Sequence, residues 1–85
     1  MQTFNHVIQD PLGLHARPAG MLVKVAAKYP CAVTLTTATG KADAKRIMAV
    51  MRLAAKQGNE LTITCDGENE EAAAAELKTF LAENL

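Results

Sequence analysis

Apolar and polar positions recur with two different periods along the chain, and the changes of period divide it into seven predicted elements. Strict alternation, rich in β-branched residues, predicts strands at 3–9, at 31–36 and at 61–65, with a short polar strand that ends at Asp43. Helical spacing predicts helices at about 16–28, at 47 to about 56, and from 70 onward. The predicted order is therefore β-α-β-β-α-β-α.

Residues that start or stop helices agree with these boundaries. Pro18 falls in the first turn of the first helix, where its missing N–H costs nothing, and Pro30 follows the end of that helix. Gly58 is placed to close the second helix, and Asn69 to cap the third, with Glu70 in its first turn. The predicted apolar stripes of the three helices are Ala19, Leu22, Val23 and Ala26; Val50, Leu53 and Ala54; and Ala74, Leu77, Phe80 and Leu81.

This order predicts an α+β fold with a four-stranded, antiparallel sheet and all three helices on one face. The outward positions of the strands are mostly threonine and asparagine, as expected for a sheet with one face in water. The chain of 85 residues contains no repeat and no linker, so residues 1–85 are predicted to form a single domain.

Composition excludes several classes of protein. Apolar residues make up 49% and charged residues 21%, which is typical of a folded domain. The longest apolar run, residues 47–51, is far too short to span a membrane, and the N-terminus has no secretory signal pattern. Cys31 and Cys65 lack metal-ligand spacing, and we expect two free thiols. We therefore expect a cytoplasmic protein without a metal ion or cofactor.

The net charge of zero conceals a division along the chain. Residues 1–58 carry eight basic and two acidic side chains, whereas residues 59–85 carry one basic and seven acidic ones. A basic first part suggests attraction to an anionic ligand or an acidic partner. A mixed surface with unevenly distributed signs is the alternative, and composition does not decide between them.

The segment GLHARPA, residues 13–19, carries the candidate chemistry. It places His15 at the entrance of the first helix and Arg17 two residues later. Free N–H groups at a helix N-terminus attract anions, imidazole can accept a phosphoryl group, and a guanidinium can hold phosphate oxygens. These features predict a phosphorylated histidine held without a deep pocket. The alternative is a histidine that only begins the helix, beside a solvated arginine.

Two helices are predicted to leave a surface that the core does not use. A helix on a sheet can bury only one side, yet the second helix is apolar nearly all round. Its unused apolar side, together with a basic strip on the first helix, is predicted to form a surface for partner proteins. We call it the docking surface: Met21, Lys24, Ile47, Met48, Met51 and Arg52. The alternative is a second helix that lies deeper between its neighbours.

GLHARPA, followed in register by KRIMAVMRLAAKQGNELTI, resembles the HPr family, the histidine-containing phosphocarriers of the phosphoenolpyruvate-dependent sugar phosphotransferase system. The resemblance implies an open-faced β-sandwich with strand order 1-4-2-3, an order that also makes the free thiols of Cys31 and Cys65 neighbours. It also implies that enzyme I phosphorylates His15 at Nδ1, that Arg17 steadies the phosphate, and that IIA domains of sugar permeases receive it. The chain is then a stoichiometric carrier rather than an enzyme, and a monomer.

The sequence departs from one branch of that family. HPr proteins of Gram-positive type often begin the second helix with a serine that a dedicated kinase phosphorylates, and Arg46 occupies that position here. The chain contains no serine, so this regulation is predicted to be missing. Arginine cannot cap the helix as serine does, a loss of about 1 kcal/mol, for which Asp43 is a candidate to compensate in part.

The sequence offers two alternative functions. The element order also resembles a ferredoxin-like RNA-binding module, but the chain has only Phe4, Tyr29 and Phe80 as aromatic residues. These do not form a platform for stacking bases, so no nucleic-acid partner is expected. A regulatory HPr paralogue that signals through a non-sugar IIA partner remains open, because His15 is phosphorylated in both cases.

Overall fold

All seven predicted elements are present, in the predicted order, in the computed structural model, which describes residues 1–85. In chain order they are β1 (Gln2–Val7), α1 (Ala16–Ala27), β2 (Ala32–Thr37), β3 (Gly40–Asp43), α2 (Ile47–Arg52), β4 (Glu60–Asp66) and α3 (Glu70–Asn84). No helix combines the length and the apolar character that crossing a membrane requires.

The four strands form one sheet in the order β1-β4-β2-β3, and every neighbouring pair is antiparallel. Ile63 of β4 pairs with Phe4 on one side and with Leu35 on the other, so inward apolar residues lie side by side across the sheet. The outward positions are threonine-rich and partly exposed. The fold class and the strand order are confirmed.

The hydrophobic core lies between the inner face of the sheet and the three helices. It is a cluster of 21 buried residues, all apolar, and no polar or charged residue is buried. Two predicted core residues are only half-buried, Val23 in α1 and Ala74 in α3, while Ala73 is fully buried. Hydrophobic burial therefore holds the sheet and the helices together without buried ion pairs.

The second helix is shorter than predicted, ending at Arg52 instead of near residue 56. The N–H groups of Leu53 and Ala54 bond to carbonyls three residues back, and Ala54 then adopts a left-handed φ of 49°. This turn exposes Ala54, which we predicted to be buried, and buries Ala55 instead. The Ala55 carbonyl accepts a hydrogen bond of 2.8 Å from the N–H of Leu14, so a tertiary contact overrides the helical propensity of alanine.

Asn69 precedes α3, as predicted, but its side chain does not cap the helix. Its φ of 62° is left-handed, and its side chain makes no capping hydrogen bond. The Glu70 carboxylate instead accepts a hydrogen bond of 3.1 Å from the N–H of Gly67. The turn before α3 is therefore closed by the glutamate that follows Asn69.

Both cysteines are free and fully buried, as predicted for a pair of neighbouring thiols. Burial, together with the proximity of Cys31, raises the pKa of the Cys65 thiol to about 11, so almost no thiolate exists at neutral pH. We therefore expect neither thiol of the folded, anaerobically prepared protein to react rapidly with a maleimide, and both to react after unfolding. Rapid labelling of the folded chain, or no labelling of the unfolded one, would contradict this.

Candidate functional site

The loop between β1 and α1 holds the candidate site, and two distant segments support it. The N–H groups of Gln9 and Asp10 both donate to the carbonyl of Leu85, at the end of α3. On the other side, the N–H of Leu14 donates to Ala55. A Cβ atom on Gly13, whose φ is 69°, would lie only 2.5 Å from the Ala55 carbonyl oxygen. A glycine is therefore required at this position.

His15 is the N-cap residue of α1. Its backbone is extended, with φ −91° and ψ 179°, and its carbonyl accepts the first bond of the helix, 3.0 Å from the N–H of Ala19. The side chain makes no capping bond and is 34% exposed, so the imidazole is free to react at the surface. No group of three His, Cys, Asp or Glu side chains lies close enough to hold a metal ion.

The surroundings of His15 favour an anion. The backbone N–H groups of Ala16 and Arg17 have no hydrogen-bond partner in the chain, and Pro18 has no N–H. The Arg17 guanidinium is exposed and forms no ion pair. The positive charge of Arg17 in the first turn interacts unfavourably with the N-terminal end of the helix dipole, which is also positive. A bound phosphate is negative and would interact favourably with both. His15 and Arg17 share a shallow cavity of about 250 Å³, lined also by Asp10, Pro18, Met21 and Asn84.

Asp10 also belongs to the site, although sequence reasoning missed it. Its Oδ1 accepts a hydrogen bond of 2.8 Å from the N–H of Leu12, and its carbonyl accepts one of 2.9 Å from Gly13. Its other carboxylate oxygen, Oδ2, lies 3.6 Å from Nε2 of His15. The Asp-Pro-Leu-Gly segment predicts a turn stabilised by the aspartate, but not which side chain the second oxygen faces.

The six residues of the docking surface are all exposed. Met48 is the most exposed of its apolar members, at 66%, and Ile47 is 41% exposed. Helices α1 and α2 pack against each other next to these residues. The contact is close at Gly20, where an added Cβ atom would lie 3.6 Å from Cδ1 of Ile47. In α2 only Val50 is fully buried, so the interpretation of a deeply buried second helix is wrong.

Two nearby lysines are engaged elsewhere in the fold. Lys28, on the basic strip of α1, forms an ion pair of 2.5 Å with Glu76 of α3, which also accepts a hydrogen bond from the Tyr29 hydroxyl. Lys45 donates from Nζ to the carbonyl of Tyr29 at 2.6 Å. These contacts hold the end of α1 in place, whereas Arg17, Lys24 and Arg52 are exposed and form no ion pair with another side chain.

A family model described as the PTS HPr component phosphorylation site matches residues 2–83 of the chain. The chain belongs to the HPr family. Its length and sequence agree with those of curated HPr proteins: the phosphocarrier protein HPr of Lysinibacillus sphaericus is 42% identical over 83 residues, covering 98% of this chain and 94% of that protein. The chain is therefore a phosphocarrier of the phosphotransferase system.

Solved HPr structures have the same fold. The histidine-containing phosphocarrier protein of Mycoplasma superposes with a TM-score of 0.94 at 36% identity, covering 96% of this chain and 93% of that one. Crh, the catabolite repression protein of Bacillus subtilis, was solved as a swapped dimer and superposes with a TM-score of 0.77 at 34% identity, covering 94% and 92% of the two chains. The HPr fold thus occurs both in phosphocarriers and in a protein of catabolite repression.

Proposed function

We propose that this chain accepts a phosphoryl group, derived from phosphoenolpyruvate, from enzyme I on Nδ1 of His15, and passes it to the IIA domains of sugar permeases. The observation that supports this most directly is the position of the imidazole. It lies at the N-terminus of α1, beside two unpartnered backbone N–H groups and the free guanidinium of Arg17. The chain acts as a cytoplasmic, monomeric carrier that is consumed and regenerated stoichiometrically.

The transfer needs little from the carrier besides position and charge. The lone pair of Nδ1 attacks phosphorus while the bond between phosphorus and the donor breaks, and the electron pair of that bond returns to the donor. Arg17 and the N-terminus of α1 balance the charge on the three phosphoryl oxygens. Because His15 is at the surface, a partner can approach phosphorus in line, both when it delivers the group and when it removes it.

The test is a two-step transfer with purified components. The protein is incubated with enzyme I and labelled phosphoenolpyruvate, re-isolated, and then offered a panel of IIA domains for sugars and IIA proteins of regulatory branches. We expect an acid-labile phosphate on the chain and its passage to sugar IIA domains. No label on the chain would refute the proposal.

The same panel decides about the second candidate, a regulatory paralogue that signals through a non-sugar IIA partner. The similarity to Crh, a catabolite repression protein, favours a regulatory role in general, and passage of the label tests whether a non-sugar IIA protein is the partner. Passage of the label to regulatory IIA proteins alone would establish this alternative.

Met48→Asp is expected to weaken binding to enzyme I at least roughly tenfold, with little change in the melting temperature. Met48 is 66% exposed, so the change removes apolar contact area and adds a negative charge to a surface that also carries Lys24 and Arg52, without opening the core. Calorimetric titration with enzyme I and thermal unfolding measure the two effects.

Thr3→Asp is the matched control, because it adds the same charge on the uncovered face of the sheet, where Thr3 is exposed. It should bind enzyme I as the parent chain does. Equal weakening by both variants, or a large loss of stability with unchanged affinity for Met48→Asp, would show that the docking surface is wrongly placed.

Because Arg46 occupies the position of the regulatory serine, this chain lacks the regulation that depends on serine phosphorylation. It occupies the N-cap of α2, exposed and without a side-chain cap, and the chain has no serine. Asp43 does not replace the missing cap, because it accepts hydrogen bonds from Lys45 and Arg46, which precede the helix. We expect ATP and the HPr kinase to leave no acid-stable phosphate on this chain.

Arg46→Ser is the positive control for that experiment, because it restores both the acceptor hydroxyl and a capping side chain. It should gain an acid-stable phosphate and a slightly higher melting temperature. An acid-stable phosphate on the parent chain, for instance on the exposed Thr39, would contradict the proposal.

A further inference from the structure

The carboxylate of Asp10 serves two neighbours at once. One oxygen holds the loop, since Oδ1 accepts the N–H of Leu12 at 2.8 Å. The other, Oδ2, lies 3.6 Å from Nε2 of His15. The main chain of Asp10 is held as well: its N–H donates to the carbonyl of Leu85 at 3.2 Å, and its carbonyl accepts from Gly13. The second oxygen is therefore presented to the imidazole from a turn that three hydrogen bonds hold in place.

The geometry points to Asp10 as a positioning residue that keeps a proton on Nε2 of His15 and so leaves the lone pair on Nδ1 to attack phosphorus. A carboxylate beside one ring nitrogen favours the tautomer that carries its proton there. This inference rests on the proposed function, because it concerns how His15 accepts and releases the phosphoryl group.

The same carboxylate acts during the transfer. As the bond between Nδ1 and phosphorus forms, the ring keeps its Nε2 proton and becomes positively charged. Asp10 stabilises this charge, just as a carboxylate stabilises the imidazolium in hydrolase triads. When an acceptor takes the phosphoryl group, the electron pair of the breaking bond returns to Nδ1 and the ring becomes neutral again with the same proton. No proton has to enter or leave in either direction.

The charges around the imidazole suit this arrangement. Of the six residues that line the cavity, Asp10 is the only carboxylate and Arg17 the only permanent cation. Nε2 faces the carboxylate, and the exposed Arg17 and the helix N-terminus remain available for the phosphate. Side-chain exposures of 34% for His15 and 26% for Asp10 leave the pair partly in water. An effect of roughly three- to tenfold on rate is therefore expected.

Two substitutions separate the charge of Asp10 from its role in the turn. Asp10→Asn keeps an oxygen to accept the N–H of Leu12 but removes the charge, whereas Asp10→Glu keeps the charge on a longer side chain that fits the turn poorly. Asp66→Asn is the control, because it removes a carboxylate at the opposite end of the sheet. Asp66 follows Cys65, which pairs with Gln2 at the start of β1, whereas the loop of the site follows Val7 at the end of β1. Nitrogen-15 NMR of the neutral imidazole reports the tautomer, and single-turnover kinetics with phosphorylated enzyme I reports the rate.

We expect the parent chain and Asp66→Asn to carry the proton of His15 mainly on Nε2. Asp10→Asn should show a larger share of the Nδ1–H tautomer and roughly three- to tenfold slower transfer in both directions, and Asp10→Glu should recover part of the rate. A purely structural role of Asp10 predicts the reverse order of transfer rates, with Asp10→Asn normal and Asp10→Glu impaired, and that result would overturn the inference. A parent chain whose His15 carries its proton mainly on Nδ1 would overturn it as well. The tautomer measurement needs no phosphorylation, so it remains decisive even if enzyme I fails to label the chain.

Discussion

His15→Ala should reduce phosphorylation by enzyme I and phosphoenolpyruvate to background. We do not expect the second histidine, His6, to take over, because it lies within β1 and not at a helix N-terminus, it is only partly exposed, and its Nε2 is buried without a hydrogen-bond partner. The fold should survive, since the His15 side chain makes no capping bond, and the free energy of unfolding should change by less than about 1 kcal/mol. Acid-labile label on the purified chain measures the first effect, and thermal unfolding measures the second.

His6→Gln is the matched control, because it removes the other imidazole and leaves a polar side chain in its place. It should accept the phosphoryl group at the parent rate. Label that persists on His15→Ala, or disappears from a folded His6→Gln chain, would place the phosphorylation site elsewhere.

Gly13→Ala should destabilise the whole domain and impair the site together. The new Cβ would lie 2.5 Å from the Ala55 carbonyl oxygen and 2.9 Å from Cα of Lys56, and φ of 69° is unfavourable for any residue with a side chain. We expect a loss of about 3 kcal/mol in the free energy of unfolding, with a melting temperature lower by about 12–24 °C. Because the same overlap displaces the loop that carries His15, phosphorylation by enzyme I should also slow.

Gly58→Ala separates the two causes of that loss. Gly58 has a φ of 89°, so alanine is strained there too, but no atom lies within 4 Å of its added Cβ. We expect this variant to lose only about 1–2 kcal/mol and to be phosphorylated normally. Equal losses for both variants would show that backbone strain alone, and not contact with Ala55, makes glycine necessary at position 13.

The local pattern of the sequence was sufficient for the type and the order of the elements and for the placement of His15 and Arg17 at the start of a helix. Alternation in β1, β2 and β4, and helical spacing in α1 and α3, determine which side of each element is buried, because side-chain direction follows directly from the backbone period. His15 and Arg17 are neighbours in the chain and lie at the start of a helix, so their proximity needs no tertiary contact. The exposure of the docking surface followed from the same reasoning, because α2 is apolar nearly all round and a helix on a sheet can bury only one side.

Tertiary structure decided what depends on residues far apart in the chain. Helix α2 ends at Arg52 because the Ala55 carbonyl turns to bond Leu14, a partner that no periodicity reveals. Lys28 forms an ion pair with Glu76 because α1 packs against α3, so its charge on the basic strip is paired. Asp10 faces His15 only because its loop is closed by hydrogen bonds to Leu12 and Leu85. The sequence by itself thus determined the fold class and indicated the candidate histidine, whereas only the tertiary structure showed the carboxylate beside it, because the hydrogen bond between Asp10 and Leu85 joins segments that are far apart in the chain.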